Sequence, residues 1–199
     1  MRKLITLFIL LLSTLGAVSA QSAQEWLAKL NTSLGECYAM NISVKVGEEA
    51  PLAGFFMVDG DAYYITLGIM EVYSDGKLRY EINNERKEVV EDRVNLEACD
   101  LLSNPTRAFS FVPNEFKSEV VSTTNDVVVL KLMPKYEMGI DAITLTCERK
   151  GAKVVPLAIS YDYAGDVVAI ALSAADISDT KLPRWDKSSY RAYDIVSFL

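Results

Sequence analysis

The chain has 199 residues, of which 50% are hydrophobic, and it carries 27 acidic and 20 basic side chains but no histidine. Its length is enough for one domain with a substantial core. The formal net charge of −7 disfavours nucleic acids and anionic membranes as partners. The lack of histidine removes the side chain on which most acid–base, metal and triad chemistry relies.

The first twenty residues have the pattern of a secretory leader. Arg2 and Lys3 precede an apolar run over residues 4–12, and residues 18–20 place small side chains where a signal peptidase reads. We therefore expect cleavage after Ala20 and an exported, soluble protein, because the apolar run is shorter than the about 20 residues of a spanning helix. Since the leader carries two positive and no negative charges, its removal changes the net charge from −7 to −9.

The mature chain begins with a predicted amphipathic helix and a predicted strand. Residues 24–34 favour a helix because their apolar side chains recur at helical spacing, and Gly35 ends it. Residues 38–46 alternate between apolar and polar side chains, as a half-buried strand does. The two apolar faces consist of Trp26, Leu27, Leu30 and Leu34 on the helix, and of Tyr38, Met40, Ile42, Val44 and Val46 on the strand.

Short alternating runs separated by turns follow along the rest of the chain. Asp59-Gly60 and residues 74–77 are hairpin turns, and Pro156 within a strand indicates an edge or a bulge. Residues 96–102 favour a short second helix that Asn104-Pro105 ends. The last predicted piece, 193–198, either pairs with a sheet edge or hangs loose. The other predicted strands are 54–58, 62–66, 70–73, 78–82, 88–94, 116–122, 127–132, 143–147, 154–160 and 167–172.

This pattern predicts a mainly β fold. So many short strands would ordinarily indicate a sandwich or a barrel, but two helices could together cover one face of a single curved antiparallel sheet. Such a sheet would enclose an apolar space, and the pattern leaves open whether side chains fill it. No linker, repeat or low-complexity tract divides the chain, so we expect one domain over residues 21–199.

Carboxylate pairs are the remaining candidates for catalysis. Asp59 with Asp61 flank a turn glycine, and Glu91 with Asp92 end a strand. Turns and strand ends are where solvated acids ordinarily lie. We therefore expect that the protein is not an enzyme and has no metal and no cofactor.

The three cysteines, Cys37, Cys99 and Cys147, allow at most one internal disulfide, with three alternative pairings. None lies in a Cys-x-x-Cys motif. The simplest interpretation is that they are small apolar side chains in the core.

Several stretches occur in an order that is known from one family. They are residues 26–34, Gly54-Phe55-Phe56-Met57-Val58, Ser74-Asp75-Gly76-Lys77 with Leu78 and Tyr80, Lys87-Glu88-Val89, Asn104-Pro105 with Phe109, and the strands within 128–134, 143–146 and 156–160. In this order and spacing the chain resembles the periplasmic outer-membrane lipoprotein carrier family, the LolA-like proteins. The resemblance extends over nearly the whole mature chain.

The resemblance implies an unclosed β-barrel whose helices form a lid over an apolar concave face. That face would hold the acyl chains of a lipoprotein, or a lipid, between the inner and outer membranes. The implied location is the periplasm, and the implied partners are an inner-membrane release complex and an outer-membrane acceptor, with the carrier a monomer. The implied lining residues are Leu27, Leu30, Leu34, Met40, Ile42, Val44, Phe56, Val58, Tyr63, Ile65, Leu78, Tyr80 and Ile82.

One departure from the family concerns the latch of the lid. Where the better-known members have an Arg-Pro after the glycine-led strand, this chain has Asp59-Gly60-Asp61. In those members the arginine helps to hold the lid closed. The resemblance therefore does not imply which residues of this chain hold the lid.

Three other hypotheses about the function stay open. The same fold could serve as an exported lipid sensor, or bind another hydrophobic ligand, without lipoprotein cargo. A β-sandwich interaction module with a filled core would have no apolar cavity under its helices. A hydrolase would need two carboxylates in one cleft within about 5–10 Å of each other.

Overall fold

Twelve strands form one unclosed sheet, and one α-helix covers part of one face in the computed structural model, which describes residues 22–111, 113–176 and 180–199. The order of strands across the sheet is β12-β6-β5-β4-β3-β2-β1-β11-β10-β9-β8-β7. The elements are α1 (Ala23–Leu34), β1 (Cys37–Val46), β2 (Leu52–Asp59), β3 (Ala62–Leu67), β4 (Met70–Ser74), β5 (Leu78–Asn83), β6 (Glu88–Arg93), β7 (Phe116–Thr123), β8 (Val127–Pro134), β9 (Ala142–Lys150), β10 (Lys153–Tyr163), β11 (Asp166–Ala174) and β12 (Asp194–Ser197).

Helix α1 begins one residue before its predicted start, ends where Gly35 predicts, and is capped at both ends. The hydroxyl of Ser22 accepts a hydrogen bond from the backbone N–H of Glu25 at 3.3 Å, which satisfies one of the free donors of the first turn. Gly35 ends the helix at a φ of +68°, a conformation that glycine adopts without steric cost. The helix packs against β10 and β7 and buries Ala23, Trp26, Leu27 and Leu30.

The predicted fold, one curved antiparallel sheet, is confirmed. Pro156 lies in the interior strand β10, where the pairing with β9 shifts register between Pro156 and Ala158, so the predicted bulge is present and the edge is not. The predicted last strand forms as β12 and pairs with β6, in the one parallel contact among the described strands.

The second predicted helix, over residues 96–102, is wrong. In the structure the crossover segment, which we define as residues 94–115 between β6 and β7, consists of turns and irregular backbone, without a helix, wherever it is described. The side chain of Asn95 accepts from the N–H groups of Glu97 and Ala98, and that of Asp100 accepts from Ser103. These local hydrogen bonds replace the helical ones, as short polar side chains commonly do.

The two faces of the sheet have different coverings. The concave face lies under α1 and the crossover segment and forms one continuous apolar core. This core includes side chains from β1, β2, β3, β8, β9, β10 and β11. The convex face is covered in part by residues 180–199, which we call the C-terminal strap. Leu182 of the strap packs there against Ala39, Met57 and Ala62.

An aromatic stack holds the strap further along. The ring of Trp185 lies between Tyr80, at a centroid distance of 4.5 Å, and Tyr190, at 4.8 Å. The hydroxyls of Tyr190 and Tyr73 lie 3.1 Å apart, and Tyr73 donates to a carboxylate oxygen of Glu71 at 2.8 Å. The strap then ends as β12, which covers the otherwise free edge of β6 and so protects it from pairing with another chain.

The stack leads to a first prediction. Replacement of Trp185 by alanine is expected to lower the free energy of unfolding by at least about 1–3 kcal/mol, since it removes the two stacked contacts, of about 0.5–1.5 kcal/mol each, and a tilted contact with Tyr73. Equilibrium urea denaturation measures the change. Phe198→Ala is the control, because that side chain belongs to the same strap but is 66% exposed, and it should cost less than about 0.5 kcal/mol. Equal losses for the two variants would contradict the role of the stack.

All three cysteines lie in the described residues, and none is bonded to another. Cys99 and Cys147 are buried in the core, as the simplest interpretation predicts, whereas Cys37 is exposed. Burial raises the pKa of the Cys147 thiol to about 12, so this thiol stays protonated and inert at neutral pH.

The predicted leader lies outside the described residues. Within the described ranges, no helix is long and apolar enough to cross a membrane.

Candidate functional site

Most of the predicted lining residues come together on the concave face. Nine of them belong to its core cluster, and Leu34 packs against that cluster while partly buried. The nine are Leu27, Leu30, Met40, Ile42, Val44, Phe56, Val58, Tyr63 and Ile65. The side chains of Leu30, Phe56 and Tyr63 are 0% exposed. The space under the helix is therefore filled at these positions by the protein's own side chains.

The other three predicted lining residues, Leu78, Tyr80 and Ile82, lie on the opposite face. Ile65 is paired with Val72, and Val72 with Glu81, so Glu81 shares the concave face with Ile65. Because side chains alternate along a strand, the neighbours of Glu81 point to the convex side. There Tyr80 stacks on Trp185. The prediction that Leu78, Tyr80 and Ile82 line the concave face is therefore wrong. They are apolar, but they lie on the convex face.

Side chains of the sheet hold the crossover segment over the concave face. The hydroxyl of Tyr38 donates to the backbone oxygen of Pro105 at 3.1 Å. The backbone oxygen of Ser103 accepts from the Tyr63 hydroxyl at 3.2 Å and from the Arg79 guanidinium at 2.8 Å. Burial raises the pKa of the Tyr38 and Tyr63 hydroxyls, so both remain protonated donors at physiological pH.

A fourth contact comes from β10, where the hydroxyl of Tyr161 accepts from the backbone N–H of Leu101 at 2.9 Å. These bonds come from β1, β3, β5 and β10, and not from the turn at Asp59-Gly60-Asp61. In that turn, Asp59 lies instead on the convex side, 3.9 Å from Arg184.

An apolar groove lies between α1 and the end of the crossover segment. Its volume is about 380 Å³, within the range of about 300–1,000 Å³ that is usual for small-molecule sites. Buried apolar side chains form its floor: Leu27, Phe111, Phe116 and Leu132. Its remaining described lining consists of Gln24, Ala28, Asn31, Ser110, Pro113 and Ser118, most of them exposed.

The floor of the groove is held by packing. The rings of Phe111 and Phe116 meet edge to face, with centroids 5.5 Å apart, which is a favourable aromatic geometry. Leu27 is the one predicted lining residue in this groove. The sequence did not lead us to predict the other lining residues. The available signal was the pair of phenylalanines on either side of Pro113, which indicates burial.

A second hollow of about 710 Å³ has a different chemical character. Its lining includes the acids Glu97, Asp100, Glu115 and Glu137, and Arg107 pairs there with Glu115 at 2.8 Å. Such a lining is unsuited to a hydrocarbon. Within the part of the chain that the structure describes, no group of three or more side chains could hold a metal ion.

The candidate carboxylate pair at the end of β6 does not converge. Glu91 and Asp92 are consecutive residues of one strand, so their side chains point to opposite faces of the sheet. The pairing across β5 and β6 places Glu91 opposite Tyr80 and Asp92 opposite Arg79. These two acids therefore do not share a cleft.

Comparisons with known proteins bear on the fold. No protein-family model matches this chain, and no curated protein is significantly similar to it. An uncharacterized conserved protein from Thermus thermophilus, of known structure, is 11% identical to it, with 88% of this chain and 98% of that chain covered and a TM-score of 0.57. This likeness shows a shared fold.

Two further solved structures are more distant. A LolA superfamily protein from Nitrosomonas europaea is 11% identical, with 86% of this chain and 98% of that chain covered and a TM-score of 0.40. A DUF1329 family protein from Desulfovibrio piger is also 11% identical, with 74% and 87% covered and a TM-score of 0.37.

Proposed function

We propose that this protein is a carrier that shields the hydrocarbon chain of an acylated cargo, and that the chain lies in the apolar groove beside α1. The observation that carries the proposal is the groove itself, with its floor of four buried apolar side chains and its uncharged rim. A hydrocarbon in this groove would contact Leu27 from the helix and Phe111 from the crossover segment. Both elements would then cover it from water.

The energetics favour such a task. Each methylene exposed to water costs about 0.8 kcal/mol, so an acyl chain of about 16 carbons would cost on the order of 10 kcal/mol to carry unprotected through water. A groove that covers much of the chain removes much of this cost. No covalent step is needed, since binding and release are both reversible.

The finer form of the proposal concerns the cargo and its route. The resemblance and the leader favour a lipoprotein as cargo, carried through the periplasm by a monomer. An inner-membrane complex would deliver the cargo, and an outer-membrane acceptor would take it. The mature chain, whose formal net charge is −9 once Arg2 and Lys3 are removed with the leader, would stay away from anionic membrane surfaces between the two encounters.

The crossover segment is the element that we propose to move when cargo exchanges. It has no helix in its described part and is held by side-chain hydrogen bonds from Tyr38, Tyr63, Arg79 and Tyr161. Each neutral hydrogen bond contributes about 0.5–1.5 kcal/mol, and the one from the Arg79 guanidinium contributes about 1.5–3 kcal/mol. Leu101, Ala108 and Phe109 of the segment are also buried in the core, so cargo would have to cover them as the segment moves. None of these contacts belongs to the pairing of the strands, so the sheet would stay intact.

Two measurements test the proposal. The protein is expressed from its full sequence and purified without detergent, and its organic extract is analysed by mass spectrometry, where we expect acyl lipid or acylated protein in stoichiometric amounts. A fluorescent fatty-acid probe should also bind and be displaced by unlabelled acyl ligands. An empty extract together with no binding of the probe would overturn the proposal.

In a second candidate function, the same groove binds a free lipid and no lipoprotein is carried. The modest volume of the groove, about 380 Å³, favours this candidate over a cargo with several acyl chains. The same extract distinguishes the two, since a lipoprotein adds a polypeptide mass and a free lipid does not. A sandwich with a filled core is not the fold of this chain, because the strands form one sheet.

A further inference from the structure

We propose that the groove takes one acyl chain at a time, buries about a dozen of its methylenes, and selects a chain that is joined to an uncharged polar group by an ester or amide. This inference rests on the proposed function and narrows its cargo. It follows from the volume of the groove, from the packing around it and from the charge of its lining.

The volume sets the length of chain. A methylene occupies about the volume of a water molecule in the liquid, about 30 Å³. The 380 Å³ of the groove therefore holds about a dozen methylenes of a single chain. Two chains of ordinary length would need about twice this space.

The packing around the groove prevents the site from extending inward. Leu132, at the floor, is 0% exposed, and the neighbouring core side chains Leu30 and Leu130 are also 0% exposed. A core packed at this density accepts extra methylenes only at a cost. A second chain, or the end of a longer one, would therefore stay in water.

The charge of the lining selects the head group. The ten described lining residues include no charged side chain, and their polar groups are the amides of Gln24 and Asn31 and the hydroxyls of Ser110 and Ser118. Amides and hydroxyls at a rim can hydrogen-bond an ester, an amide or a glycerol hydroxyl. A carboxylate or phosphate that loses part of its hydration there finds no cation in return, and such a loss is costly.

A competition experiment tests the inference. Monoacylglycerols of 8–16 carbons displace the methyl ester of a fluorescent fatty acid from the purified protein, each below its critical micelle concentration. We expect the affinity to rise about tenfold for each added pair of methylenes up to about 12 carbons and to change less than about threefold beyond that. Monolaurin should bind at least tenfold more tightly than laurate, and dilaurin should bind at most about threefold more tightly than monolaurin, because its second chain stays in water and gains no contact.

A variant with a positive charge at the rim of the groove tests the preference for an uncharged head group. Ser110→Lys places an ammonium at the exposed rim and should improve the binding of laurate relative to monolaurin at least tenfold. Ser122→Lys is the control, because this serine is exposed on β7 but does not line the groove, and it should leave the ratio unchanged.

The outcomes separate this inference from the proposed function. If no acyl compound binds, the carrier proposal itself fails. If acyl compounds bind but affinity keeps rising to 16 carbons, or dilaurin binds at least tenfold more tightly than monolaurin, or laurate binds as tightly as monolaurin, the carrier proposal stands. The inference that the groove takes one chain with an uncharged head group is then overturned.

Discussion

Replacement of Phe56 by alanine is expected to lower the free energy of unfolding by about 3–5 kcal/mol, as large-to-small changes of fully buried aromatic residues do. The Phe56 side chain is 0% exposed and lies in the core of the concave face. Its ring meets that of Tyr38 edge to face at 6.0 Å. Its neighbours across the sheet, Met40 and Ile65, belong to the same core, so the lost volume would leave a cavity.

The adjacent residue provides the control. Phe55 belongs to the same strand but points to the convex face, where it is only partly buried. Phe55→Ala should therefore cost clearly less than Phe56→Ala in the same equilibrium denaturation with urea. Similar losses for the two variants would mean that the concave face is not the principal core.

Replacement of Ala28 by tryptophan is expected to weaken the binding of an acyl ligand at least tenfold. Ala28 is exposed on α1 and lines the groove, so an indole at this position would occupy space that we assign to the ligand. Because the site is exposed, the variant should fold, with a loss in unfolding free energy of less than about 1 kcal/mol. Titration with a fluorescent fatty-acid probe measures the affinity, and thermal melting followed by circular dichroism measures stability.

Lys29→Trp is the matched control for this variant. Lys29 is the next residue of the same helix, is exposed on a face turned away from the groove, and does not line it. Its replacement introduces the same side chain into the same helix, and it should leave the affinity for the probe within about twofold. Equal weakening by both variants, or by neither, would contradict the position of the ligand in the groove.

The strands and the first helix could be predicted because their determinants are local. In β1, the alternation from Met40 to Val44 matches the burial of the strand, and in α1 Ser22 and Gly35 form the two caps. The helix predicted over 96–102 failed for a reason that is also local. Asn95 and Asp100 hydrogen-bond to nearby backbone N–H groups and stabilise turns in place of a helix.

The face that a strand presents could not be predicted from the pattern alone. Alternation tells which residues share a face, whereas the register with the neighbouring strand decides which face is concave. In β5, Tyr80 and Ile82 share a face as predicted, yet the pairing with β4 places Tyr80 opposite Tyr73 and Ile82 opposite Glu71 on the convex side. Trp185 covers Tyr80 there, and its distance along the chain hides this contact from any local pattern.

The groove was beyond prediction because distant parts of the chain build it. Leu27 comes from the first helix, Phe111 from the crossover segment, Phe116 from β7 and Leu132 from β8. The helix and the two strands carry periodic signals, which tell which residues share a face but not which distant side chains they meet. Phe111 lies in a segment of turns, where hydrophobicity indicates burial but not a partner.

The most direct test of the carrier proposal is a map of where an acyl chain lies. A medium-length acyl ligand with a photoreactive diazirine near its methyl end is bound to the protein and irradiated, and the labelled peptides are identified by mass spectrometry. We predict that the label falls on the floor of the groove, at Leu27, Phe111, Phe116 or Leu132, and that Ala28→Trp abolishes it. A label confined to the convex face or the C-terminal strap, or one that Ala28→Trp leaves unchanged, would contradict the proposal.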